Sequence, residues 1–268
     1  MTTTSLQPRE VVRHELVRRT LTVSAIRDIG PSMRRITLVG PDLAGFSSDG
    51  PEDHIKAFFP DPTPTDAAAV SMRDFTPRAF RADAASGPEL DIDFVLHGDS
   101  APATGWAARV AIGDSLSIGG PRGSRLAPAG ADSAILLADP TALPALARWI
   151  EILPDGTPVT AIVAASDDSF RAYAADIDAT GTPVTWIWID EADDAARATA
   201  QLEAIRSATI GTSTLVWAAG ESTALVDVRR YLRRELGLDK DQVFVDGYWR
   251  RGTANLDHHA PLDPTDPD

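Results

Sequence analysis

The apolar positions fall into two regimes along the chain. In the first half they come in short runs between Gly/Pro-rich turns: Thr20 to Ile26, Arg35 to Val39, His54 to Phe59, Leu90 to His97 and Ser115 to Ile118. Leu90, Ile92, Phe94 and Leu96 alternate with Asp91, Asp93 and Val95, the period of two of a strand with one buried face. Many short strands of this kind predict an antiparallel β-barrel or sandwich. Beyond about Gly130 the runs become continuous, at Ala134 to Ala138, Val159 to Ala164, Val184 to Ile189 and Thr214 to Ala219, which predicts strands buried on both faces. Between them Leu143, Leu146, Ala147 and Ile150 share one helical face, as do Leu225, Val228, Leu232 and Leu236. That alternation predicts a parallel sheet with covering helices, an α/β domain. The expected division is a β-barrel over residues 16–129, an α/β domain over 130–254 and a loose tail over 255–268, where prolines and acids replace periodic apolar residues. Pro60 to Gly87 reads as one long connection, a length that usually marks a functional or a disordered loop.

Composition narrows the chemistry. A length of 268 residues accommodates two ordinary domains, and 43% hydrophobic against 24% charged residues is enough to bury their cores. Cysteine is absent, which removes disulfides, iron–sulfur clusters, thiolate zinc sites and cysteine nucleophiles together. Redox chemistry would therefore need a bound organic cofactor. No apolar run approaches the ~20 residues that span a bilayer, and Met1 to Glu10 lacks a signal-peptide core, so the cytoplasm is the expected location. The net charge of −14 repels nucleic acid and anionic membranes, and neither is an expected partner. The charge is uneven: Met1 to Arg35 holds 7 arginines against 3 acids, and Val228 to Arg251 holds 7 bases against 4, so local anion sites can persist. The histidines His14, His54, His97, His258 and His259 show no paired helical ligand spacing, and no metal site is expected. Gly-x-Ser-x-Gly, Walker and Gly-x-Gly-x-x-Gly motifs are missing from the sequence.

Two segments carry candidate chemistry. Arg73-Asp74-Phe75-Thr76-Pro77-Arg78 places two guanidinium groups, an aromatic ring and a hydroxyl within six residues. Gly119-Gly120-Pro121-Arg122-Gly123-Ser124 follows a strand and offers backbone N–H groups beside a further guanidinium, chemistry suited to a diphosphate. Taken singly, the first reads as an arginine-bearing surface loop and the second as a tight turn between domains. Together they meet the needs of a flavin dinucleotide: cations and donors for its phosphates, a flat surface for its ring, and a hydrogen-bonding group near N5.

In this order, Arg73 to Arg78, Val95-Leu96-His97-Gly98, Gly119 to Ser124, Thr141-Ala142-Leu143-Pro144, Trp217 to Glu221 and Gly247-Tyr248-Trp249-Arg250-Arg251-Gly252 resemble successive landmarks of the siderophore-interacting protein family, across nearly the whole chain. The resemblance implies a ferredoxin-reductase-like flavoprotein, with an antiparallel FAD-binding barrel followed by a parallel-sheet nicotinamide-binding domain. By position it implies that Arg73 and Arg78 contact the FAD phosphates, that Phe75 lies against the flavin and that Thr76 approaches N5, Phe75 and Thr76 being the expected catalytic residues. His97, Gly98, Gly119, Gly120, Arg122, Gly123 and Ser124 are expected to complete the FAD site. Asp139, Thr141, Gly220 and Glu221 stand at strand ends, where open α/β sheets bind ligands and helix N-termini receive phosphate. Trp249 is expected to close over the flavin side.

The implied activity is reduction of a ferric siderophore with electrons from NADPH or NADH through FAD, ferredoxin being an alternative donor and a monomer the expected state. Hard oxygen ligands grip ferrous ion poorly, so reduction releases the iron. Lys56, Arg122, Arg250 and Arg251 are the cations expected to face the anionic chelate, with Arg125 a substitute. Phe75 stands where the family usually has tyrosine, and Ala138-Asp139-Pro140 where it has Gly-Asp-Glu; proline removes an N–H and a carboxylate there. Two alternatives remain open on the residues: a general NAD(P)H-dependent flavin reductase or electron-transfer component, and a non-catalytic flavin- or siderophore-binding protein.

Overall fold

A computed structural model describes residues 6–61, 66, 69–97, 101–166, 168–178, 183–253, 256 and 260–266. Gly98, His258 and His259 lie outside the described residues. The chain divides into two units, Val11–Leu126 with Ser169–Asp176, and Met1–Glu10 with Ala127–Asp168 and Ile177–Asp268. These bounds differ from the expected ones in that an early peptide joins the α/β unit and part of a later helix joins the barrel.

In the barrel unit β1 (Val11–Arg13), β2 (Arg18–Asp28), β3 (Met33–Val39), β4 (Ile55–Pro60), β5 (Val70–Phe75), β6 (Pro77–Arg81), β7 (Glu89–Val95), β8 (Ser115–Gly119) and β9 (Gly123–Arg125) follow one another. Seven of them form an antiparallel sheet in the order β5-β4-β8-β2-β3-β7-β6, while β1 pairs with β9. Leu21, Val23, Ile36, Leu38, Ile55, Ala57, Phe59, Leu90, Ile92, Phe94, Leu116 and Ile118 point to one side and fill the core, as period-two patterning requires. The end strands β5 and β6 are separated in the chain by Thr76 alone. Since a residue spans at most ~3.6 Å, the sheet must curl until its two edges meet at that seam. The Pro60 to Gly87 stretch, expected as one long connection, instead contains the strands β5 and β6. Its periodicity was masked because the core-side positions of β5 are Ser71, Arg73 and Phe75, whereas Val70 and Met72 face solvent at 53% and 49% exposure.

The second unit is a parallel sheet in the order β12-β11-β10-β13-β14, built from β10 (Ser133–Ala138), β11 (Val159–Ala165), β12 (Val184–Asp190), β13 (Thr214–Glu221) and β14 (Val243–Trp249). Helices α2 (Leu143–Ile152), α4 (Asp194–Ser207) and α5 (Ser222–Arg230) belong to this unit. The strand order reverses between β10 and β13, the switch point at which doubly wound sheets open a crevice beyond the strand ends. Leu225, Val228 and Leu232 are buried as expected, but Leu236 is 43% exposed. The cause is a π-helical turn over Tyr231–Glu235, which breaks the 3.6-residue phase before Leu236 is reached. The tail also departs from expectation: residues 260–266 dock on α5 and on the π-helical turn that follows it instead of standing loose.

Candidate functional site

The seam of the barrel gathers Arg73, Phe75, Thr76 and Arg78. Phe75 sits opposite Ile55 and Arg73 opposite Ala57, so both project to the core side of β5, while Asp74 pairs outward with Lys56 at 2.6 Å. The half-buried Phe75 ring packs on Phe94 at 4.6 Å and edge-on to Phe59 at 5.8 Å, and Trp106 of α1 (Pro102–Arg109) completes the cluster at 5.7 Å from Phe94. Such contacts fix the ring without any ligand. Thr76 and Arg78 are buried at 8% and 6% exposure, and a buried guanidinium in that position is retained where an anion or a hydrogen-bonding group satisfies it. Arg73 is half-buried, its Nη1 donating to Ser71 Oγ at 2.6 Å and to the Met72 carbonyl at 2.7 Å.

The Gly119 to Ser124 stretch is brought beside this seam by register: Gly119 pairs with Lys56 of β4 and Arg18 of β2. Not all of it faces outward. The Gly120 N–H donates to the Val17 carbonyl at 3.2 Å, and Arg19, itself buried, donates to the Gly120 carbonyl. A Cβ on Gly123 would lie 2.5 Å from the Val12 carbonyl oxygen, so its glycine lets β1 pass. Ser124 is fully buried, and its hydroxyl donates to Asp53 at 2.5 Å, accepts from the Asp49 N–H and contacts His14 at 2.8 Å. These three residues hold the turn in place. Arg122 is the exposed cation of the segment, and His97 is exposed as well.

Across β3 and β7 runs a buried ionic network with no local signal in the sequence. Asp93 is fully buried at its side chain and takes a two-pronged pair from Arg35, at 2.7 and 2.8 Å. It also accepts from the Tyr173 hydroxyl of α3 (Arg171–Asp178), and Arg35 reaches Asp176 of the same helix at 3.1 Å. Burial first, then the adjacent Asp93 charge, pushes the Tyr173 phenol well above its ordinary range, so it remains a donor.

In the α/β unit, Asp139 directly follows β10 and Gly220-Glu221 ends β13, on either side of the switch point. Asp139 Oδ1 accepts from the Thr141 N–H at 2.8 Å and the Thr141 hydroxyl at 2.6 Å, and Oδ2 accepts from Trp249 Nε1 at 2.7 Å. A Cβ on Gly220 would come within 2.7 Å of the Asp139 carboxyl, so glycine makes room for this clasp. Burial raises the Asp139 pKa against the lowering effect of those bonds. Glu221 caps α5 through the Ala224 N–H at 2.8 Å and accepts from the Arg251 N–H at 3.1 Å. The helix N-terminus expected to receive phosphate thus already holds a carboxylate. Arg251 pairs with Asp194 at 2.8 Å, and Arg250 donates to the Leu262 carbonyl at 3.2 Å. An asparagine at 139 would present an amide NH₂ to N–H or O–H donors on one side. Asp139→Asn is therefore expected to cost about 1–3 kcal/mol in urea unfolding, the price of one unsatisfied buried group; an unchanged midpoint would discount the clasp.

A curled antiparallel sheet with cations and an aromatic ring at its seam, joined in one chain to a parallel sheet with its switch-point crevice, defines the class of ferredoxin-reductase-like flavoproteins. The model for the Siderophore-interacting protein family matches residues 131–252, and that for the Siderophore-interacting FAD-binding domain matches residues 22–71 and 62–125. The chain belongs to the siderophore-interacting protein family. It is 33% identical over 256 residues to the NADPH-dependent ferric-chelate reductase of Escherichia coli K12, covering 89% of this chain and 95% of that one. A siderophore utilization protein from T. fusca has a crystal structure that superposes with a TM-score of 0.79 at 38% identity, over 94% of this chain and 100% of that one. The cytochrome b5 reductase domain of Ulva prolifera nitrate reductase shares the fold alone, at TM-score 0.62 and 11% identity over 85% of this chain and 97% of that one. Among the described residues no helix is long and apolar enough to cross a membrane.

Proposed function

We propose that this chain is an FAD-dependent reductase of ferric siderophores that draws its electrons from NADPH or NADH. The observation that carries the reading is the seam: one strand junction brings Arg73, Phe75, Thr76 and Arg78 together, with the Phe75 ring already fixed by Phe94 and Phe59. These residues fit the cofactor. Arg73, Arg78 and Arg122 would neutralise the diphosphate, Phe75 would support the flavin ring and Thr76 would place a hydroxyl near N5. Bound FAD would supply the conversion of a two-electron hydride donor into single-electron steps. Lys56, Arg122, Arg250 and Arg251 are the cations we assign to the anionic chelate; in the described fold Lys56 is balanced by Asp74 and Arg251 by Asp194, so a chelate has to compete for them. Asp139, Thr141, Gly220, Glu221 and Trp249 are assigned to the donor side.

The named relative from Escherichia coli supports both the ferric substrate and the NADPH donor. A second reading, a flavin-holding protein without nicotinamide turnover, is favoured by Pro140 and by the Glu221 carboxylate at the α5 N-terminus. One experiment separates them. Protein titrated with FAD and mixed anaerobically with NADPH is expected to bleach, then to recover its colour on adding a ferric siderophore, while a ferrous-specific chromogenic chelator captures the product. Bleaching without iron release would leave a general flavin reductase, and no bleaching with NADPH or NADH would leave the binding protein.

A further inference from the structure

Residues 260–266 form a strap across the α/β unit. Asp263 turns the chain by accepting from the Thr265 N–H at 2.9 Å and its hydroxyl at 2.6 Å, and it pairs with Arg230. Asp266 pairs with Arg234, whose Nε donates at 2.9 Å, and approaches Arg229 at 3.5 Å; its backbone carbonyl accepts from Arg229 at 2.9 Å. Leu262 packs on the cluster formed by Leu225, Val228, Leu232 and Val243. Gly247 of β14 keeps the seat open, since a Cβ there would meet Leu262 Cδ1 at 3.2 Å and Ser222 Oγ at 2.2 Å.

The strap reaches one assigned substrate cation. The Leu262 carbonyl accepts from Arg250 Nη2 at 3.2 Å, and Arg250 Nε is buried without a hydrogen-bond partner. One edge of the guanidinium is thereby held against the strap, and Nη1 makes no hydrogen bond among the described residues. We infer that Asp263 and Asp266 are positioning residues: by anchoring the strap on Arg230, Arg234 and Arg229 they fix the Leu262 carbonyl, which aims Arg250 at the chelate. This rests on the assignment of Arg250 to the substrate under the proposed function. The arginine ends of the anchors are exposed, Arg230 and Arg234 at 45% and 51% of their side chains, while the Asp263 side chain is 7% exposed and that of Asp266 25%, so the strap depends on both pairs together with Leu262.

The sign of the pH effect follows from the carboxylates. The Thr265 hydroxyl and N–H hold the Asp263 pKa below its ordinary value, and Arg234 does the same for Asp266. Strap anchoring is therefore complete above the ordinary carboxylate range and lost as pH falls through the depressed values. At neutral pH the strap is closed.

The test uses full-length FAD-loaded protein, with Asp263→Asn and Asp266→Asn combined, so that Leu262 still anchors the fold, and a second variant lacking residues 260–268. Both are expected to raise KM for a ferric siderophore roughly 3–10-fold, as loss of one aimed charge contact would, with unchanged kcat for NADPH-driven reduction of a neutral quinone. Arg250→Gln alone should raise the same KM, and adding it to the strap variants should raise it no further. Multiplying effects, or unchanged KM in the strap variants, would overturn the inference. An inert Arg250→Gln with normal wild-type turnover would overturn it too, leaving ferric reduction intact; absent wild-type turnover would instead sink the proposed function.

Discussion

Asp93→Asn is expected to lower the stability of the barrel unit by about 3 kcal/mol or more, the usual cost of removing one partner from a buried ion pair. Asp93 lies directly opposite Arg35 in the β3–β7 register, and its two oxygens serve both prongs of that guanidinium as well as the Tyr173 hydroxyl. All three partners are donors. An asparagine would keep one acceptor and turn an NH₂ toward either Arg35 or Tyr173, setting donor against donor in a buried place. Arg35 would retain Asp176 at 3.1 Å, which holds the loss toward the lower end of the ~3–5 kcal/mol range. Asp28→Asn is the matched control, because Asp28 pairs with Arg34 at 2.6 Å but is 58% exposed; that loss should stay within about 1 kcal/mol. Urea unfolding of both variants followed by circular dichroism decides the matter. Equal midpoints would falsify the claim that this network anchors α3 to the barrel.

What could be read in advance follows from how side chains advertise burial. Leu90, Ile92 and Phe94 are all buried, because an antiparallel strand with one wet face must alternate. Leu143, Leu146, Ala147 and Ile150 are buried together for the corresponding helical reason. β5 was illegible because Arg73 and Ser71 occupy its core-side positions, where a strand pattern demands apolar residues and a cofactor site demands polar ones. The Asp93–Tyr173 bond joins residues 80 positions apart, and nothing local in either segment signals the other. Ser124 looked like a phosphate donor by its neighbours, yet the tertiary approach of Asp53, 71 positions away, claims its hydroxyl. Asp263 and Asp266 read as solvated acids because their partners sit more than thirty positions upstream on α5 and its π-helical turn. The cationic and aromatic members of the seam were legible as residue types. Their convergence needed the edge-to-edge closure of the sheet.

Arg73→Gln is expected to weaken FAD binding roughly 10–100-fold, since a hydrogen bond to a charged group contributes ~1.5–3 kcal/mol and each ~1.4 kcal/mol is tenfold. The ligand-free melting temperature separates a structural role of this guanidinium from a role in holding the dinucleotide. Its bonds to Ser71 Oγ and the Met72 carbonyl are to the same strand, one and two residues away, so they add nothing to the pairing of β5 with β4. Glutamine keeps the stem and a donor while removing the charge, so a loss of affinity without a matching loss of ligand-free stability reports on the contact between this cation and the phosphates. Arg109, at the exposed end of α1, is the comparison, and Arg109→Gln should leave the affinity unchanged. Fluorescence titration of apoprotein with FAD measures both, with the melting temperature of the ligand-free protein recorded alongside. Matching affinities for the two variants, or a drop in the ligand-free melting temperature as large as the loss of binding implies, would move Arg73 out of the cofactor site and leave the phosphates to Arg78 and Arg122.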